Sequence, residues 1–309
     1  MEGFAAEGKG AKMRLGAGCD AARNKACGFV AAGGGEVQVG DGCTAHHNGS
    51  GTVGSGTAGS GFAAMNEASM LRTGRRCVAS DNAESGFIAD LGGSLQSGAG
   101  CKARNNAGEG WISNRGSRIT VGRGSVAEGN QDGFVASGKG SELQYVVEEE
   151  EEEEAEEEEE GAAAGAAAGA AENGAAAGAA AAKAAGCTAR NNRRNGFACE
   201  DSAIMDLLVQ GGGGVGAGVC AAVGNGGSGF VSGLGDEATA STRGGSMRLG
   251  PGVRSEGNGG YGCLTQGRGA VIELPEQCVL RGNTAGPKLH AEGGKFGALP
   301  WLQLGLKIV

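Results

Sequence analysis

Of the 309 residues, 67 are glycine, about 22% against roughly 7% in ordinary proteins, while only four are proline. That pairing excludes collagen, which needs Gly at every third position with abundant Pro, and a Pro-rich spacer. The net charge of −9 sits in one tract: without the twelve Glu of residues 148–154 and 156–160, 23 acids face 26 Lys and Arg.

A body at +3 with no concentrated Lys/Arg stripe argues against a nucleic-acid partner. No run of 18 apolar residues is present, so no membrane span is expected. The start, Met1-Glu2-Gly3-Phe4, lacks the charged and apolar regions of a secretory signal. The ten cysteines form no CxxC pair, which argues against a zinc site. Together these lean toward an intracellular setting with free thiols, and no cofactor is expected.

Along the chain, glycine precedes an aromatic residue at Phe4, Phe29, Phe62, Phe87, Trp111, Phe134, Phe197, Phe230 and Tyr261. Uninterrupted steps are 23 to 25 residues, and nine of twelve aromatics fall in this slot. Next comes an apolar-polar-apolar segment ending near Gly, as in Met13-Arg-Leu15, Val37-Gln-Val39 and Ile119-Thr-Val121. Period two is the strand pattern. A third column then runs from a small residue to Asn: Cys19 to Asn24, Cys43 to Asn48, Cys77 to Asn82, Cys101 to Asn106 and Ser125 to Asn130. It continues through Cys187 to Asn192, Cys220 to Asn225, Val253 to Asn258 and Cys278 to Asn283.

Three short strands in about 24 residues, repeated nine or ten times, predict an all-β parallel β-helix. Equivalent residues then stack about 4.8 Å apart, Phe on Phe, Cys on Cys. The Asn side chains can bond from turn to turn, and Asn accommodates a left-handed bend. Over residues 3–290 the pattern resembles the right-handed parallel β-helix repeat proteins of the pectate-lyase-like group, and that resemblance supplies the hand. The reading divides the chain into β-helix over 1–147, an acidic, Ala/Gly-rich insert over 148–186, β-helix over 187–298 and an apolar tail, 299–309, that could cap one end. Residues 49–60, 211–219 and 233–246 read as lengthened bends.

The Cys19, Cys43, Cys77, Cys101 column reads as structural filling, because a metal site needs ligands that converge whereas a solenoid spreads them in a line. The aromatic strand must present one apolar column outward. That strip is either Phe29, Phe62, Phe87, Trp111 and Phe134 or Val30, Ile88, Ile112 and Val135. It could bind a partner, and copies could self-associate through it or through the exposed ends of the solenoid. The resemblance implies clustered carboxylates and a basic residue on a sheet face for lyase chemistry. The Gly-Phe-Val-Ala columns lack Asp, Glu, Lys, Arg and His throughout. The bend before the Asn column instead brings His46, His47, Asp81, Arg104 and Glu128 to one edge, where His could act as an oriented base and Arg could neutralise a uronate. The expectation is a non-catalytic repeat scaffold binding a protein or polysaccharide along one sheet face. The alternative is a uronan lyase or epimerase using the histidine patch.

Overall fold

The structure, a computed structural model, describes residues 1–49, 59–146, 186–210, 220–233, 244–275, 278–291 and 295–298. The acidic insert, apart from residue 186, the tail, and most of the lengthened bends lie outside the described residues. The described chain is wound into three parallel sheets. Sheet A has ten strands, from Phe4–Glu7 to Gly286–Ala291. Sheet B has ten, from Lys12–Leu15 to Lys295–Ala298, and sheet C nine, from Asp20–Ala22 to Val279–Arg281. Each strand pairs in parallel with its equivalent one turn on, as Phe4 with Phe29, Met13 with Val37 and Ala21 with Ala45. This is a right-handed parallel β-helix of three strands per turn.

The aromatic column faces the bore. Eight rings from Phe4 to Phe230 stack with centroids 4.7–5.0 Å apart and planes within 13° of parallel. They share one core with the Val/Leu/Ile columns of sheet B and the Ala and Cys columns of sheet C. Tyr261 is not the ninth ring, because Phe230 registers with Cys263. Gly262 stands four residues after Asn258, the usual spacing in this chain, whereas Tyr261 is two residues ahead of the ring position taken by Cys263. The glycine before each ring is required by contact, not by its φ. A Cβ on Gly86 would lie 2.7 Å from Ala103 Cβ and 2.8 Å from the Gly110 carbonyl.

The Asn column forms a continuous ladder. Each Nδ2 donates to the next Oδ1 at 2.8–3.3 Å, from Asn24 through Asn48, Asn82, Asn106, Asn130, Asn192, Asn225 and Asn258 to Asn283. The same Oδ1 also accepts the previous Asn backbone N–H, as Asn106 Oδ1 does from Asn82. The left-handed bend falls one residue earlier than expected: Arg23, His47, Asp81, Asn105 and Asn191 have φ of 53–55°, and glycine occupies the equivalent position at Gly129 and Gly224. The ladder asparagines are selected for bonding capacity, because one planar amide supplies two donors and an acceptor along the axis.

All ten cysteines are free. Burial pushes the Cys43 thiol up to about 11 and Cys199 up to about 12, so both stay protonated and unreactive at neutral pH. Tyr145 is 1% exposed and its hydroxyl has no hydrogen-bond partner among the described residues. Tyr145→Phe removes an unsatisfied buried group and leaves the ring in place. It should raise stability by about 1 kcal/mol, read as an upward shift of the melting temperature.

Candidate functional site

Alternation along sheet B sends Met13, Val37 and Leu71 inward and their neighbours outward. One outward column reads Arg14, Gln38, Arg72, Gln96, Thr120 and Gln144 over six consecutive strands in register. Arg14, Gln38 and Arg72 are exposed. Arg14 and Arg72 enter no ion pair among the described residues. In the parallel column Lys12 pairs with Glu36 at 2.8 Å and Arg118 with Glu142 at 2.8 Å. Lys12 holds the Glu36 carboxyl below its ordinary value, first by hydrogen bonding and then by charge. Further along, Asp206, Arg248 and Glu273 neutralise one another across three strands. The N-terminal half of this face therefore carries surplus positive charge on a flat array of long hydrogen-bonding side chains.

The five-residue patch divides into two. His46 faces Asp20, Nε2 to Oδ1 at 3.2 Å, and its Nδ1 lies 2.9 Å from His47 Nδ1. Thr44 donates to the same Asp20 oxygen, which with the His46 charge lowers the Asp20 pKa. Ser80 stands between His46 and Arg104 in the register, and Asp81 is exposed on the bend. Arg104 and Glu128 belong to the second group: Arg190 Nη2 lies 3.0 Å from Glu128 Oε2, with Arg104 Nε at 3.6 Å. Asp20 was missed because it lies on the neighbouring strand, two residues out of the compared column.

Neither apolar strip is open. Phe29, Phe62, Phe87, Trp111 and Phe134 are fully buried in the bore, because the glycine-lined approach lets the large rings fill it. Val30, Ile88 and Val135 do point out of the bore, yet are only 1–5% exposed; Ile112 is half-buried. Val30 and Ile88 pack with Cys27 and Ala63 in a separate small cluster.

Sheet A's outer side also carries the charges that its four-letter strand motif lacked. They sit one position before the glycine, at Glu109 and Asp132, and one after the motif, at Asp90 and Glu200. Asp90 is buried and held by Arg115, whose Nε lies 2.7 Å from Oδ1. Asp132 accepts the Asn195 backbone N–H at 2.7 Å, and burial raises its pKa. Burial, then the Asp132 charge, lifts Glu200 to about 7.

A carboxyl raised in the native state contributes no penalty below about pH 4. Stability is then lost as pH rises through 4.5 to 7, because the unfolded chain releases its proton first. At about 1.4 kcal/mol per unit, the loss approaches roughly 3 kcal/mol. Glu200→Gln should therefore flatten the fall in melting temperature between pH 5 and pH 8, and an unchanged pH profile would refute this role for Glu200.

Among the described residues no three His, Cys, Asp or Glu side chains converge to hold a metal ion, and no helix is long and apolar enough to cross a membrane. The fold defines the class: a right-handed parallel β-helix repeat protein with a polar outer face on sheet B. Compared with known proteins, the chain matches no family model, no curated protein and no solved structure.

Proposed function

We propose that the protein is a non-catalytic scaffold that binds an extended acidic glycan along the outer face of sheet B. The observation that carries this reading is the six-strand column Arg14, Gln38, Arg72, Gln96, Thr120, Gln144. It offers guanidinium, amide and hydroxyl groups at each rung of about 4.8 Å, a spacing suited to a chain of hydroxyl-bearing rings. These six positions hold no carboxylate, the column reaching Asp206 only on the next strand, so they supply positive charge for anionic substituents and no general acid of their own. The rigid stacked core holds these side chains in a fixed row, which lowers the ordering cost of binding.

On a glycan array the protein should retain uronate-containing or sulfated polymers, and the double variant Arg14→Ala/Arg72→Ala should lose at least tenfold in affinity with its melting temperature unchanged. Retention unaffected by the double variant would remove this face from consideration. A second reading, uronan lyase or epimerase chemistry, draws on the Asp20–His46–His47 contact, in which Asp20 orients an imidazole. Unsaturated-product absorbance from uronic-acid polymers, abolished in His46→Ala, would establish that reading over the scaffold.

A further inference from the structure

The bend that leads from sheet C to sheet A forms a ridge with opposite charge on its two flanks. On the sheet C flank, Arg104 and Arg190 face one carboxylate, Glu128, and Lys102 stands two residues before Arg104 on the same strand. Arg104 and Arg190 share that carboxylate, and neither Nε has a hydrogen-bond partner among the described residues. Lys102 enters no ion pair among the described residues. On the sheet A flank, Glu84, Glu109, Asp132 and Glu200 stand within electrostatic reach of one another, and each raises a neighbour's pKa or has its own raised. Arg194, 3.9 Å from Asp132, is a cation placed among them, and Arg193 donates to the Ala107 carbonyl on the crest. Among the described residues, each flank thus holds an excess of one sign of charge.

The two flanks also occupy the same turns. Arg104 closes its sheet C strand, Lys102–Arg104, and Glu109 precedes the next sheet A strand, Trp111–Asn114. Glu128 and Asp132 are related in the same way one turn on. A two-fold axis lying along the solenoid direction, at the crest of the ridge, exchanges the flanks at constant height. It would set the basic flank of each copy against the acidic flank of the other. Such a contact is isologous and closed.

We infer that this ridge is a self-complementary surface through which two copies associate side by side and in parallel. It is distinct from the outer face of sheet B. Electrostatic matching of this kind weakens with salt, because the screening length falls from about 30 Å at 0.01 M to about 3 Å at 1 M.

The experiment is sedimentation of the full chain at low and high ionic strength, with two charge-reversed variants. Arg104→Glu/Arg190→Glu makes both flanks acidic, and Glu84→Lys/Glu109→Lys makes both basic. The wild type should be dimeric at low salt and monomeric at high salt. Each variant alone should be monomeric throughout, and an equimolar mixture should recover the dimer. The neutral pair Arg104→Gln/Arg190→Gln should lower dimer affinity at least tenfold, which keeps the test open if a reversal impairs folding. A monomeric wild type at low salt, or a mixture that stays monomeric, overturns the inference. A monomeric wild type that captures polyglutamate through Arg104 and Arg190 would also overturn it, in favour of an acidic protein partner.

Discussion

Replacing Asn106 by alanine should lower the stability of the solenoid by about 4 kcal/mol, because two buried donors lose their acceptor at about 1–3 kcal/mol each. Those donors are the Asn82 backbone N–H, at 3.1 Å, and Asn82 Nδ2, at 2.9 Å. The Asn106 Nδ2 bonds to the Ala79 carbonyl, at 3.1 Å, and to Asn130 Oδ1, at 2.9 Å, are lost as well. Nearly all of this happens out of water, since Asn82, Asn106 and Asn130 are 0–2% exposed. The same change at Asn24, the half-buried end of the ladder, should cost under half as much. Its Oδ1 receives no bond from a preceding rung, and water can reach the gap. Chemical denaturation of the two variants, compared at matched slope, gives the ratio directly. Equal losses at the two positions would show that the ladder's strength does not depend on burial.

The second large effect is expected at the ring stack. Phe87 lies between Phe62 at 4.8 Å and Trp111 at 4.7 Å, with planes 3–6° from parallel. Phe87→Ala removes a fully buried side chain and both ring contacts, and large-to-small core changes of this kind cost about 3–5 kcal/mol. The loss should fall at the high end, because the neighbouring turns are fixed in spacing by their backbone hydrogen bonds and cannot close the gap. Phe87→Leu should recover more than half of it by refilling most of the volume. Thermal unfolding of both variants provides the measurement. An Ala variant within 1 kcal/mol of wild type would mean that the column contributes register and little stability.

Much of this architecture was legible in the one-dimensional spacing. The Gly-aromatic pairs, the alternating segment and the Cys-to-Asn column marked the three strands of each turn, because in-register stacking forces chemically alike residues to recur at the turn period. The column mismatch at Tyr261 arose from matching residue type and overlooking distance from Asn258. The site was less legible. Asp90, Glu109, Asp132 and Glu200 flank the strand motif and vary from turn to turn, so no column pattern marks them. Arg104, Glu128 and Arg190 form a unit in which Glu128 and Arg190 are 62 positions apart, with the acidic insert between them in sequence. The continuous polar column of sheet B was present in the alternating segments, where the apolar partners drew attention to the bore.

The sequence by itself determined the repeat, the number of strands per turn, the turn count and the Asn ladder, since each depends on what recurs along the chain. Tertiary structure decided which way the alternating strand faces. Whether Phe or Val points into the bore turns on how closely neighbouring turns approach, and the glycine contacts against Ala and Asn side chains set that approach. Tertiary structure also decided which charges meet. The body's +3 is an average over a solenoid whose winding gathers cations on sheets B and C and carboxylates along sheet A, because the pitch of about 4.8 Å brings residues from separate repeats within ion-pairing distance.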